Sequence, residues 1–346
     1  MISSSFLIVA LWSASKVLAN QLTCPTASSL PRNDVCSGPP EVFIIAHSHG
    51  KGLGVFATHD LELGDIVMRE APAIKIEPPR VGKGDPYPMS EISRLVEEQF
   101  QHLPTAAQAE IMSLTVHATA VEKKTQSRLA LIFRTNAYNT GTGIGLFPKI
   151  ARINHSCRPN TSYYWSEKLN KRIVFASRKI KKGEEFFVSY IPLLLTRDER
   201  QRRLRQYGFE CTCDVCAQDQ VALQVSDGRR VELRETFLNL ESNLSMNPPH
   251  SKSGKRQARE KAEAGHRLIE LVQEEGLTDY YAKAYRIAAI HYARIEDWEN
   301  AAIWSNKGYE LRFIEDPKSN STLEMRHLTS MFLESWENQL KQHSST

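Results

Sequence analysis

Four of the six cysteines in this 346-residue chain stand where thiols do chemistry. Cys211-Thr212-Cys213-Asp214-Val215-Cys216 spells C-x-C-x2-C, a spacing that lets three thiolates converge on one side of a tight loop, as a tetrahedral Zn²⁺ site requires. A structural site wants a fourth soft ligand. Cys157 is the one other cysteine in the stretch with folded texture, so it is expected to close a four-cysteine site. The competing readings are a redox pair at Cys213 and Cys216 or a set of buried thiols, although a third cysteine two residues ahead has no role in a simple dithiol.

The run Arg152-Ile153-Asn154-His155-Ser156-Cys157-Arg158-Pro159-Asn160 sets hydrogen-bonding side chains and a metal-type thiol between apolar segments. Each buried polar group there needs a partner, which a metal or a bound ligand would supply. A polar loop with a capped turn at Asn160 accounts for the asparagines and the proline but not for the thiol. Upstream, Gly52-Leu53-Gly54-x-x-Ala57 is nominally a dinucleotide fingerprint. That motif needs a helix directly after its glycines, whereas Thr58-His59-Asp60 leads to a turn at Gly64 and another strand. Lys51 is not followed by Ser or Thr, which excludes a P-loop. What remains is a bare-backbone loop able to approach a ligand closely, or an ordinary β-turn. Val188-Ser189-Tyr190 ends an apolar strand in a phenol, and Tyr207-Gly208-Phe209 leads into the cysteine cluster. A lone tyrosine at a strand end is most often packing.

These residues must be positioned by short elements. From Glu41 onward, Val42–Ala46, Val55–Ala57, Ile66–Met68 and Ala73–Ile76 read as brief strands divided by glycine and proline. Pro78–Pro88 breaks the pattern, and Ser90–Ala130 shows helical spacing, so 77–130 is expected to be a helical insertion between two halves of a β domain. Strand-like runs return at Ile144–Phe147, Thr161–Trp165, Ile173–Ala176 and Glu185–Ile191. Beyond Cys216 the chain is helical throughout, with Leu233–Leu244, Ala258–Glu275, Tyr280–Ile295 and Trp298–Phe313 as the clearest segments. The last two resemble a tetratricopeptide-like hairpin while missing most of its consensus positions, and an ordinary helical bundle is the alternative.

Composition bounds the rest. With 41% hydrophobic and 24% charged residues the chain is an ordinary globular protein, neither disordered nor fibrous. Its length suits roughly two domains at about 150 residues each, and no run reaches the ~20 apolar residues of a membrane span. The net charge of +4 is uneven, with 27 basic against 20 acidic residues through Cys216 and 17 against 20 beyond. The basic clusters at Arg178–Lys182 and Arg197–Arg205 read as solvated faces, so no sequence-specific nucleic-acid binding is expected. Residues 1–19 look like a secretory signal, with an apolar run Phe6–Trp12 and a Val17-Leu18-Ala19 cleavage pattern. Residues 20–40 form a polar leader whose Cys24 and Cys36 could pair in an oxidising lumen. Asn160, Asn243 and Asn320 head glycosylation-type triplets.

Taken in order, Gly52-Leu53-Gly54, Asn154-His155-Ser156-Cys157-x-Pro159-Asn160, Gly183-Glu184-Glu185 with Ser189-Tyr190, and Tyr207-Gly208-Phe209-x-Cys211-x-Cys213-x2-Cys216 resemble the landmarks of the SET-domain protein-lysine methyltransferases. The likeness runs from about Val42 to Cys216 and is nearest to the SET-and-MYND branch, whose helical C-terminal region resembles 217–346. The insertion Glu77–Ala130 holds no cysteine, so the MYND zinc finger of that branch is expected to be missing. The resemblance implies an α+β fold: a SET domain over 41–190, a zinc-binding post-SET segment over 191–217 and an all-helical domain over 218–346.

It also implies roles. Lys51, Gly52, Leu53 and Gly54 would lie against S-adenosylmethionine; Asn154 and His155 would hold that cofactor by hydrogen bonds; Phe209 would stack on its adenine. Tyr190 matches the catalytic tyrosine at the end of a lysine channel and would also touch the cofactor, with Tyr207 a second wall. Asn136 and Tyr138 fall where related proteins contact cofactor or substrate. The zinc ligands would be Cys157, Cys211, Cys213 and Cys216. The implied partner is a lysine of a histone or other protein, met by a monomeric enzyme; the alternative is a SET-like interaction module that no longer catalyses. Methyl transfer is an in-line displacement, so a narrow channel supplies much of the rate by orientation. A lysine of pKa ~10.4 must first lose its proton, which an apolar channel and a nearby sulfonium favour without a strong base. The compartment is left open: the leader points to export, the reduced cysteine cluster and the cofactor to nucleus or cytoplasm.

Overall fold

The computed structural model describes residues 41–79, 88–242 and 244–344. The expected signal segment, the leader with Cys24 and Cys36, the 80–87 part of the proline-rich break and Asn243 lie outside the described residues. The unit from Val42 onward is α+β.

Its first element is a hairpin of β1 (Phe43–Ser48) and β2 (Gly52–Ala57), in register from Phe43 opposite Ala57 to Ser48 opposite Gly52. The turn needs left-handed backbone at Gly50 (φ 71°) and Gly52 (φ 79°), a conformation that costs glycine nothing. β3 (Ile66–Glu70), β8 (Thr161–Ser166) and β9 (Lys171–Ala176) make one antiparallel sheet with β9 central. β4 (Ile74–Ile76), β5 (Ala137–Thr140) and β6 (Gly143–Leu146) make another with β6 central. β7 (Asn154–His155) and β10 (Phe187–Val188) pair in parallel over only two residues each. Such short strands are held by the core beneath them: Val55, Phe147, Ile150, Ile153, Val174, Ile180, Phe186 and Val188 form one buried cluster. Ile153 and Val188, immediately before Asn154 and Ser189, anchor the two polar segments from below.

The expected helical insertion is present as α1 (Met89–Gln101), α2 (Thr105–Met112), α3 (Ala120–Thr125) and α4 (Arg128–Asn136). Thr119 and Glu122 form a capping box at α3, and the Ser127 hydroxyl accepts from the Ala130 N–H to start α4. The helix continues past Ala130 because Ile132 and Phe133 bury against Ile74, Ile76 and Leu146 of the neighbouring sheet. β5 and β7 had no strand signal: the first alternates too briefly, and the second consists of two polar residues.

After β10, α5 (Arg197–Leu204) opens on a Thr196–Glu199 capping box and passes through a 3-10 turn (Arg205–Tyr207) that ends at left-handed Gly208. The remaining helices are α6 (Gln220–Glu241), α7 (Lys252–Glu274), α8 (Thr278–Arg294), α9 (Trp298–Glu315) and α10 (Asn320–Ser344). α6 begins at the Asp219 cap, well before Leu233, because its first turns are largely solvent-facing and carry little apolar periodicity. Consecutive helices pack closely where side chains are small, as at Gly265 against Ala288. Among the described residues no helix is long and apolar enough to cross a membrane.

One fully buried side chain joins the helical region to the β domain. The Arg230 guanidinium donates to Glu275 Oε2 (3.0 Å), to the Leu193 carbonyl (2.8 Å) and to the Cys157 carbonyl (3.1 Å), while the Ser226 hydroxyl donates to the same Glu275 oxygen.

Candidate active site

Cys157 ends the β7 turn, and Cys211, Cys213 and Cys216 follow the 3-10 turn; the fold brings the four thiols together although 54 residues separate Cys157 from Cys211. Their sulfurs all lie within 4.8 Å of one another. Cys157 Sγ is 3.6 Å from Cys216 and 4.0 Å from Cys211. Zn–S bonds of about 2.3 Å at tetrahedral angles place sulfurs ~3.8 Å apart, so the donor set fits that ion in number, softness and spacing. The four thiols are free, which leaves the redox-pair reading without a bond to support it. A buried Arg200 guanidinium stands 3.8 Å from Cys216 Sγ and donates to the Leu195 carbonyl, offsetting negative charge at the cluster.

His155 ties this cluster to the phenol of Tyr190. Its Nδ1 accepts from the Tyr190 N–H (3.1 Å), which leaves the ring proton on Nε2, 3.4 Å from Cys157 Sγ. Burial holds the ring near a pKa of about 4, so it is neutral. The Tyr190 hydroxyl donates to the Ile153 carbonyl (2.7 Å), and the Tyr207 hydroxyl donates to the Tyr190 carbonyl (3.4 Å), with the two rings 5.0 Å apart. Burial, reinforced by Tyr207, pushes the Tyr190 phenol well above its ordinary pKa. It stays protonated and is no general base.

At the hairpin end, Glu185 gathers three donors from three segments. Ser48 Oγ donates to it at 2.9 Å, Lys51 Nζ at 3.4 Å and Asn154 Nδ2 at 2.7 Å, and its side chain is 11% exposed. The second Asn154 amide hydrogen goes to the Leu53 carbonyl (3.1 Å), so both donors of that amide are used and its oxygen is left as an acceptor. Lys51 Nζ also lies 4.3 Å over the Phe187 ring. Asn136 likewise spends its amide hydrogens on the carbonyls of Thr115 and Ile132, both at 2.9 Å.

These groups surround a cavity of about 480 Å³. Lys51, Leu53, Asn136, Asn154, His155, Tyr190, Tyr207 and Phe209 all border it, with Cys211 and Cys213 at its edge. Gly52 and Gly54 are not on its wall: Gly52 turns the hairpin, and Gly54 leaves room for the Glu185 carboxylate. Three wall or near-wall residues had no role assigned from sequence. Tyr163 sits among the half-buried residues of β8 with nothing in the local pattern to set it apart; Arg152 sits in the polar run without motif status; Glu185 was visible as part of Gly183-Glu184-Glu185 but not as a hub. Asn160 is buried, donating to the Glu185 carbonyl (2.8 Å) and accepting from the Phe187 N–H (2.7 Å), so a glycan there is incompatible with this fold.

A profile of the SET domain family matches residues 52–191, the span from β2 through Ile191, just past Tyr190. The chain is 27% identical over 318 residues to a protein of Schizosaccharomyces pombe named histone-lysine N-methyltransferase set5, covering 85% of this chain and 90% of that one. It is 37% identical over 110 residues to human histone-lysine N-methyltransferase SMYD3, covering 31% of this chain and 25% of the relative. Over 94 residues it is 39% identical to human N-lysine methyltransferase SMYD2, covering 27% and 20%. The chain thus spans nearly all of the yeast relative and a quarter or less of the two human ones. The wall segments from Leu53 to Tyr190 lie inside the matched span: residues 52–191 match the SET domain, and stretches of the chain are similar to SMYD2 and SMYD3.

Proposed function

We propose that this chain is an S-adenosylmethionine-dependent protein-lysine N-methyltransferase. The observation that carries the reading is a partly buried, protonated Tyr190 held at the cavity by His155 and Ile153, between a charged end at Lys51 and Asn154 and an aromatic end at Tyr138, Tyr163 and Tyr207. The relatives named as histone-lysine and N-lysine methyltransferases support it.

The charged end suits the amino-acid part of S-adenosylmethionine: Lys51 complements a carboxylate, and the free Asn154 oxygen accepts from an ammonium. Phe209, 6.2 Å from the His155 ring, offers an apolar face for an adenine. When bound, that cofactor supplies a methyl group on a positively charged sulfur. The substrate lysine would lose its proton to water on entering the aromatic end, where the walls at Tyr138, Tyr163 and Tyr207 would hold its nitrogen in line with that methyl group. Tyr190 orients the nitrogen lone pair through its phenolic oxygen and takes no proton, in keeping with its raised pKa. Zn²⁺ held by Cys157, Cys211, Cys213 and Cys216 would lock the loop that carries Phe209 to the segment that carries His155. The substrate is a lysine of a histone or of another protein.

The test is transfer of labelled methyl from S-adenosylmethionine to histones and to a mixed protein extract, using zinc-loaded protein from residue 20 onward beside Tyr190→Phe. Label with the native protein and a loss of at least ~100-fold in the variant, with cofactor binding retained, is the expected result. Cofactor binding with no transfer to any protein would move the reading to an interaction module.

A further inference from the structure

Arg172, on the central strand β9, is 3% exposed, and among the described residues no carboxylate pairs with it. Its guanidinium carbon lies 4.7 Å from the Tyr138 ring, 4.8 Å from Tyr163 and 5.3 Å from Phe147. Tyr138 and Tyr163 meet edge to face at 5.5 Å, so the three rings form a cage filled by a cation of the protein's own. One Nη donates to the Asn139 carbonyl, and Nε has no partner. A leucine or methionine would fill such a space without the cost of desolvating a charge. A buried cation with an orphaned N–H calls for a further reason.

Two of the cage rings supply it, since Tyr138 and Tyr163 also border the cavity together with Tyr190 and Tyr207. We propose that Arg172 is a positioning residue that keeps a permanent positive charge behind the tyrosine wall, favouring the substrate lysine in its neutral, nucleophilic form. The proposal rests on the methyltransferase reading above. A like charge roughly 10 Å away at an effective dielectric of ~20 lowers an amine pKa by about one pH unit.

The remaining charges near the channel do not duplicate this effect. Lys51 is paired with Glu185 at the hairpin end. Glu70, opposite Arg172 on β3, turns its carboxylate to the amides of Lys149 and Ile150. Lys75 lies over Trp165. Arg152 and Glu210 stand on the cavity wall with opposite signs, and Asp279 acts on Tyr163 from α8. The phenols of Tyr138, Tyr163, Tyr190 and Tyr207 are all held protonated by burial.

The experiment measures kcat against pH, in single turnovers on a lysine peptide, for the native protein, Arg172→Met and Arg172→Lys, with melting and cofactor binding as fold controls. The expected result is an upward move of the acidic limb by about one pH unit in Arg172→Met, with roughly tenfold lower kcat at neutral pH and little change in KM. Arg172→Lys should restore the native limb. If Arg172→Met does not fold, Asn139→Asp puts a carboxylate at an exposed position beside the guanidinium and should raise the limb in the same direction. A native limb at the free-lysine value of ~10.4, a folded Arg172→Met with an unmoved limb, or an unmoved limb in Asn139→Asp would each overturn the proposal. No transfer at all by the native protein would instead overturn the methyltransferase reading.

Discussion

The carboxylate of Glu185 occupies the space that a side chain on residue 54 would fill, so the bareness of Gly54 and the position of Glu185 are one feature. A β-carbon added at Gly54 meets Glu185 Oε1 first and the Ser48 β-carbon at 3.0 Å. Through Glu185 the glycine governs Lys51 and Asn154, two residues of the cavity wall, without bordering the cavity itself.

Gly54→Ala should therefore displace Glu185, release Lys51 and Asn154, and weaken cofactor binding by roughly tenfold, at a stability cost of about 1–3 kcal/mol from overpacking. Glu185→Gln should weaken binding by a similar factor with less loss of stability, because it removes the charge that holds Lys51 while keeping the volume. Titration calorimetry with S-adenosylmethionine, beside thermal melting, separates the two effects; unchanged affinity in both variants would remove Glu185 from the site.

Stripping the cysteine cluster should disturb the cavity as well as the loop. His155 bridges Cys157 and the Tyr190 amide, so a strong chelator is expected to lower the melting temperature and abolish cofactor binding together. Cys213→Ser, at the least buried of the four, should lower metal content and stability less than Cys157→Ser. Metal analysis of the purified protein at one zinc per chain is the companion expectation, and its absence would return the cluster to buried thiols.

Arg230 and Glu275 form a buried ion pair whose value lies in what it connects. Arg230→Met leaves Glu275 with only the longer Arg229 contact (3.6 Å) and the Ser226 hydroxyl, and the Cys157 and Leu193 carbonyls without that donor, which should cost about 3 kcal/mol. Adding Glu275→Leu should recover part of the loss. Denaturant melts of the single and double variants measure the recovery, and an additive double variant would show that the pair acts independently.

Glu70 should make stability depend on pH near neutrality. Burial raises its pKa from 4.5 to about 7, against the pull of the Lys149 and Ile150 amides. The folded form then holds a proton that the unfolded form has already lost, so stability falls as pH rises from 4.5 to about 7 and levels off above, by on the order of 3 kcal/mol in all. Glu70→Gln should flatten that part of the stability curve and be at least as stable as the native protein at pH 8. A native curve already flat between pH 5 and 7 would contradict the buried, protonated carboxyl.

Local chemistry was legible in the amino-acid sequence by itself. Thiol spacing, the Asn154-His155-Ser156-Cys157 run, the glycine turn, the strand ending in Tyr190 and the helical periodicity beyond Cys216 are patterns of near neighbours, and each is borne by residues whose types restrict what they can do. Most strands and the four longer helical segments follow the same logic, since side-chain periodicity reports which face is buried. Tertiary structure decided the rest. β7 could not be read from two polar residues because its partner, Phe187–Val188, is distant in sequence and the pairing is parallel. Glu185 was legible only as an acid at the start of the strand-like run to Ile191 until folding set it between Ser48, Lys51 and Asn154. Arg172 lies just ahead of the strand read at Ile173–Ala176 and carried no signal in sequence, and only the fold sets it against Tyr138 and Phe147. A charge inside a fold takes its meaning from groups brought to it across the chain, and local spacing carries no record of them.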